Sequence, residues 1–401
     1  MRRHRKRGPS RAADNLCGRM VKAAPQCYEF RVSGMSILVT GATGFVGGAI
    51  AANLADKGLL GDTRFAVRGE STAEGLARLR ANLGRFQLPQ SVLDGLTERQ
   101  IVPFDLRNAA AAELGDPEIL INCAALATFS NHPSLWDTNV GGVLELGRLA
   151  SRGKRLKRFV HIGTAMSCGQ LADRHVREAW NVPSLEQHAV PYTYSKGMAE
   201  LKLRETFPEL PLVVVRPSIV VGHSRLGCAP SGSIFWMLRM VALLETFSCR
   251  LTDRVDILSV DDCAEAIVRL ATKPALAHDL YHISAGDAHS ERIETLYPRF
   301  KRCTSPEEDA QALAGYVYQP KIEEKALARK FLRTGGDANV RLVARAIHLY
   351  AKFASMSYVF DNTRLVTETG FQPHSLLSYL DRCLDTSERE PITQQMQWDY
   401  K

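Results

Sequence analysis

The sequence predicts an α/β fold of the Rossmann type: a mostly parallel sheet with helices on both faces, plus a smaller, mainly helical C-terminal substrate region. Three observations predict it. Short apolar runs recur along residues 36–285, separated by helix-length segments, the rhythm of buried strands joined by crossover helices. The first run opens directly into glycines at 41, 44 and 47. Much later, Tyr192 and Lys196 open a helix at a spacing of four, one turn apart on one face.

The elements follow in order. Ile37–Thr40 reads as a short buried strand, with a helix after the glycines running to about Leu59. Phe65–Val67 reads as the second strand, and leucines at spacings of three and four predict a helix over 71–84. Ile101–Phe104, Ile119–Asn122 and Phe159–Ile162 continue the strand series, with a helix near 134–151 before the last of them. A helix begins near Tyr192, and Leu212–Val215 is the next strand. Beyond residue 218 the pattern loosens into a long helix over 232–247, a strand Val255–Leu258 and a helix over 261–272, and Tyr281–Ser284 returns to the main sheet. The expected division is a basic, disordered tail over 1–34, a dinucleotide-binding domain over 35–285 with substrate-region insertions after 218, and a mainly helical region over 286–401.

Charge separates the tail from the body. The formal net charge is +8, yet residues 1–34 hold nine basic and two acidic residues, which leaves the rest close to neutral. A body without broad basic charge argues against a nucleic-acid partner. No apolar run follows the early arginines, so a secretory signal is not expected. The nine cysteines are scattered and odd in number, and none forms a Cys-x-x-Cys pair. Reduced thiols in a cytoplasmic protein, with no metal site, are the expectation. The greasy stretch Ile234–Leu244 is too short to span a bilayer and contains Arg239. It reads as a buried helix near a pocket, with peripheral membrane contact left open and unsupported.

The glycine turn is where chemistry enters. Gly41 permits the tight turn, Gly44 lets a ligand approach the backbone, and Gly47 lets helix and strand pack closely. Around them, Thr43, Phe45 and Val46 lie on the turn and new helix terminus, whose N–H groups suit a pyrophosphate. The second strand ends in Val67-Arg68-Gly69, with no acidic residue to hold ribose hydroxyls. Arg68 instead suits a 2′-phosphate, so NADP (as NADPH) is favoured over NAD. After the third strand come Asp105 and Leu106; Asp105 can accept a hydrogen bond from adenine or cap a helix.

Gly163-Thr164 follows a central strand, where a hydroxyl can reach substrate. A free tyrosine has a pKa of about 10, and a neighbouring ammonium favours the phenolate. Lys196 is therefore expected to lower the pKa of Tyr192 and to bind nicotinamide ribose hydroxyls, while Thr164 shares stabilisation of a carbonyl oxygen. Tyr194, two residues from Tyr192, reads as packing, and Cys168 as a structural thiol.

In this order the residues resemble the extended short-chain dehydrogenase/reductase superfamily over roughly 36–285. The resemblance implies that Asn122-Cys123-Ala124-Ala125 lies along the cofactor through Ala124 and Ala125, and that Asn139 supports the site. Gly163 stands where many members have a serine. Within the superfamily the chain is most similar to the fatty acyl-CoA reductase and thioester-reductase branch, the male-sterility type. The similarity rests on the helical insertion Ala73–Leu83, on Arg216-Pro217-Ser218-Ile219-Val220-Val221-Gly222, and on Asp256–Asp262. Pro217 and Ile219 are then expected at the cofactor.

The resemblance implies an NADPH-dependent reductase of an acyl thioester, acyl-CoA or carrier-bound, or of a related carbonyl on a fatty or polyketide-like substrate. The alternatives are a dehydrogenase, reductase or epimerase of a sterol-, flavonoid- or sugar-like alcohol and, more remotely, a non-catalytic NADP-binding sensor. Family analogy also implies a homodimer through the helices at 134–151 and 192–206.

Overall fold

The computed structural model describes residues 34–171, 173–302, 309–333, 339–388 and 390–399. The segment expected as a disordered tail lies outside them apart from Gly34. Seven strands form the main sheet: β1 (Ile37–Thr40), β2 (Thr63–Val67), β3 (Ile101–Pro103), β4 (Ile119–Asn122), β5 (Arg158–Ile162), β6 (Leu212–Pro217) and β7 (Leu280–Ile283). Their order is β7-β6-β5-β4-β1-β2-β3, and every pairing in the sheet is parallel. The order reverses between β1 and β4, so a crevice opens beyond their carboxyl ends. Register levels those ends: Thr40 pairs with Asn122, and Asn122 with His161.

Apolar side chains on both faces of these strands recruit helices. On one face Leu38, Leu120 and Phe159 pack with Val143 and Leu146 of α3 (Val143–Ala150) and with Ala199 and Leu203 of α4 (Pro191–Thr206). On the other, α1 (Phe45–Asp56) lies against α6 (Val260–Thr272). Pro191 starts α4 at a position where the missing N–H costs nothing. Ser259 caps α6, and Asp261 and Asp262 in its first turn complement the helix dipole. The insertion after β2 forms α2 (Thr72–Arg85), capped by Ser71.

Three elements differ from expectation. The long helix over 232–247 is shorter, α5 (Phe235–Leu244): Ser233 (φ +44°) and Glu245 (φ +56°) adopt left-handed backbone at its two ends. The strand Val255–Leu258 is two short strands. Arg254–Val255 pairs with Glu291–Arg292, and Ile257–Leu258 pairs with Ile219–Val220. Between them the buried Asp256 carboxylate accepts hydrogen bonds from the N–H groups of Ala285 (2.8 Å), Phe360 (3.0 Å) and Gly286 (3.3 Å), so that residue caps converging loops. The helix near 134–151 contains a π-helical stretch, Asp137–Gly142, before α3. Single π-turns of this kind concentrate at functional sites.

The C-terminal region is mainly helical. Its longest helix, α7 (Val340–Met356), packs on α5 through Val343, Ile347 and Tyr350 against Trp236 and Met240. After α7 the chain returns toward the sheet, where Val359–Phe360 pairs with His175–Val176. Among the described residues no helix is long and apolar enough to cross a membrane, and no group of three His, Cys, Asp or Glu is placed to hold a metal ion. The six cysteines among them are free thiols.

Candidate active site

At the crevice, every residue singled out from the sequence for catalysis or cofactor contact lines one cavity of about 920 Å³. The glycine turn divides into two kinds of glycine. Gly41 has φ +73°, and a Cβ there would lie 2.8 Å from the backbone of Cys123 and Ala124. At Gly47 a Cβ would lie 2.1 Å from the Gly41 carbonyl oxygen. Both are demanded by the protein's own backbone. Gly44 is not: its Cβ would meet only the Gly41 oxygen, at 3.4 Å. Its bare side faces the cavity, and this is the cradle a pyrophosphate requires. The loop is braced from α2, where Asn82 donates to the carbonyls of Ala42 (2.9 Å) and Gly44 (3.1 Å). Asn82 was missed by sequence reasoning, because a polar residue inside a helical insertion carries no local signal.

Beneath the crevice a buried polar chain ties three strand ends. The Thr40 hydroxyl donates to Asn122 Oδ1 (2.7 Å) and accepts from the Ala124 N–H (3.1 Å). Asn122 Nδ2 lies 3.0 Å from His161 Nδ1. Asn139, in the π-helical stretch, exchanges hydrogen bonds with the backbone of Leu126 (2.8 and 3.1 Å) and donates to Ser195 Oγ (3.1 Å). It thereby joins the loop carrying Ala124 and Ala125 to the helix carrying Tyr192 and Lys196.

Thr164, Tyr192 and Lys196 meet in the same cavity. The Thr164 oxygen accepts the Met166 N–H (3.3 Å) as a helix cap, which leaves its hydroxyl proton available to a carbonyl. Lys196 is only 2% exposed, and its side chain makes no hydrogen bond or ion pair with any described residue. Burial lowers its pKa, and the Glu200 carboxylate opposes that loss. A buried ammonium with no protein acceptor fits a cofactor whose ribose hydroxyls would supply one. The expectation for Tyr192 needs correcting. Burial, helped by the neighbouring Cys123 thiol, pushes its phenol up to about 12, and Lys196 is not among the groups that shift it. Desolvation disfavours the phenolate, which suits the phenol to act as a proton donor. Burial likewise pushes the Cys168 thiol up to about 12. The ring of Tyr194 stacks on Trp136, 6.0 Å away.

Glu200 was also missed. One further turn along α4, its Oε2 accepts from Arg216 Nε (2.9 Å) and Nη2 (2.7 Å), with both residues almost wholly buried. Its Oε1 lies 1.8 Å from where a Cβ on residue 163 would stand. A side chain at position 163 would have to displace this carboxylate. This acid sits beneath the Thr164 backbone and electrostatically faces Lys196.

At the other end of the cavity, Arg68 and Arg107 line the mouth together with Asp105. Asp105 is a cap: its Oδ1 accepts the Arg107 N–H (3.0 Å), and both oxygens hold the Arg107 guanidinium. That guanidinium, with a smaller contribution from Arg68, holds the carboxyl below its ordinary pKa. Arg107 had not been anticipated.

The family profile described as male sterility protein matches residues 39–267. The nonribosomal peptide synthetase FrzA of Cladobotryum sp is 25% identical over 269 residues, covering 62% of this chain and 26% of that protein. Fatty acyl-CoA reductase 2 of Mus musculus is 27% identical over 227 residues, covering 47% of this chain and 44% of the reductase. The chain thus spans about a quarter of the first protein's length and less than half of the second's. Among solved structures, the terminal R domain of the myxalamid PKS-NRPS biosynthetic pathway superposes with a TM-score of 0.65 at 22% identity, covering 88% of this chain and 90% of that domain. At that identity the likeness speaks for the fold alone.

Proposed function

The chain belongs to the male sterility protein family, and from that membership and the geometry of its cavity we propose that it is an NADPH-dependent reductase of acyl thioesters. One observation carries the reading: the Tyr192 phenol, the Thr164 hydroxyl and the buried Lys196 side chain share one cavity with a glycine cradle. The similarity to a fatty acyl-CoA reductase supports a thioester as the carbonyl compound. The thiol arm is coenzyme A or its carrier-bound equivalent.

When bound, the reduced cofactor supplies a hydride to the carbonyl carbon. The rest falls to the protein. Lys196 would hold the nicotinamide ribose hydroxyls and orient the ring. Thr164 donates a hydrogen bond to the carbonyl oxygen, and Tyr192 gives that oxygen its proton as negative charge develops. The hemithioacetal then breaks its carbon–sulfur bond, releasing aldehyde and thiol. A phenol that holds its proton suits this direction, because reduction asks Tyr192 for an acid.

Arg68 and Arg107 at the adenosine end favour NADPH. Both are exposed at the cavity mouth, and their guanidinium groups suit a 2′-phosphate. The test is to mix the protein with NADPH and acyl thioesters and follow loss of nicotinamide absorbance. Aldehyde formation is expected. Inertness toward every thioester, with turnover of a ketone or alcohol, would overturn the thioester assignment.

A further inference from the structure

The cavity has an aromatic wall that the proton chemistry does not use. It begins at the Tyr192 ring. Phe129, on the loop after β4, has its ring centroid 6.1 Å from Tyr192 and 5.5 Å from both Tyr350 and Phe353. Tyr350 and Phe353 stand three residues apart on α7, hence on one face. Trp236 meets Tyr350 edge-on at 5.3 Å and holds it in place. Phe129, Tyr350 and Phe353 all line the cavity, with Phe129 and Phe353 only half-buried. A group attached to a carbonyl at Tyr192 would therefore meet this wall.

We infer that the acyl group accepted by this site is neutral and aromatic, or otherwise planar and conjugated, and that it packs against Phe129 and Phe353. The inference rests on the thioester-reductase reading and narrows its substrate class. Aromatic groups prefer neighbouring rings at centroid spacings of about 4.5–7 Å, offset or edge-on, and Phe129 already stands at such spacings from Tyr192, Tyr350 and Phe353. A flexible saturated chain gains area from such a wall but no matching geometry. Aromatic walls also receive quaternary ammonium groups, yet the buried Lys196 ammonium lines the same cavity. Among the described residues, the only carboxylate lining it is Asp105, already held by Arg107. A second cation would add to the positive charge of Lys196 with no further carboxylate among the described lining residues to receive it.

The experiment compares a benzoyl, an octanoyl and a trimethylammonioacetyl thioester of one thiol, together with the three corresponding free aldehydes, using the full chain and NADPH. Phe129→Leu and Phe353→Leu are run beside the natural protein. The aryl compound should lead the octanoyl compound about tenfold in kcat/KM, and each leucine variant should lower that aryl-to-alkyl ratio about tenfold. Equal or better turnover of the octanoyl compound, a lead for the cationic compound, or an unchanged ratio in both variants would overturn the inference. Inertness of all thioesters with an aryl preference among the aldehydes would remove the thioester reading and retain the aromatic one. Should nothing turn over, the benzoyl-to-octanoyl ratio of Kd for the NADP-loaded protein decides: a tenfold aryl preference supports the wall and parity refutes it.

Discussion

Adding one methyl group at two glycines of the same turn should have opposite consequences. In Gly47→Ala the new Cβ would lie 2.1 Å from the Gly41 carbonyl oxygen and 2.6 Å from its carbon. Neither atom is a flexible side-chain end, so β1 and α1 must move apart. Overpacking of this kind costs about 1–3 kcal/mol, and more where backbone must shift. In Gly44→Ala the nearest protein atom would be 3.4 Å away, and the backbone (φ −96°, ψ −178°) is one alanine adopts freely. Losing glycine at a helix cap costs something, and reduced freedom of the unfolded chain returns part of it. Stability should stay within about 1 kcal/mol of the natural protein. The methyl would instead stand in the cofactor's path. Urea unfolding followed by NADPH titration separates the two effects. Gly47→Ala should unfold early, whereas Gly44→Ala should melt normally and bind NADPH at least tenfold more weakly. Unimpaired NADPH binding by a folded Gly44→Ala protein would refute the assignment of Gly44 as the face that meets the pyrophosphate.

Glu200→Gln leaves Arg216 as an uncompensated buried charge and should cost about 3–5 kcal/mol in urea unfolding. It also removes the acid that supports the Lys196 proton, so the alkaline limb of kcat/KM should move to lower pH; an unmoved limb would leave Glu200 a structural residue only. Burial pushes Glu178 up to about 7 from an ordinary 4.5. A carboxyl whose folded pKa is raised contributes stability that is full below the unfolded value and lost as pH rises through the folded one. Glu178→Gln, permanently neutral, should therefore match the natural protein near pH 4 and exceed it by up to about 3 kcal/mol near pH 8; equal Tm differences at both pH values would contradict this. Arg68→Ala should weaken NADPH about 10- to 100-fold, the loss of a charge-assisted hydrogen bond, and leave NADH unchanged. Equal losses for both cofactors would remove Arg68 from the 2′-phosphate.

The parallel strands and the glycine turn were legible because their signals are local: an apolar run, a punctuating glycine, a residue pair one helical turn apart. Long-range partners were not. Glu200 reads as an ordinary helix-surface acid until Arg216, a strand residue sixteen positions on, is seen to meet it in the core. Asp256 sits in what reads as an unbroken strand because nothing near it in sequence announces the three backbone N–H groups that converge on it. Lengthening α5 to 232–247 followed its apolar content, whereas left-handed backbone at Ser233 and Glu245 decides where it stops. The pKa of Tyr192 was misread for a related reason. The lysine one turn away is visible in the sequence, and the burial that raises the phenol's pKa is not.

Reduction at this site requires the phenol of Tyr192 to give its proton to a carbonyl oxygen. The most direct test of that step is the single-turnover rate of Tyr192→Phe with NADPH and a thioester that the natural protein reduces, measured alongside the Kd for NADPH. The rate should fall about 10²- to 10⁴-fold, the contribution of a positioned proton donor, with cofactor affinity unchanged. A rate within a few-fold of the natural protein at equal cofactor affinity would contradict it.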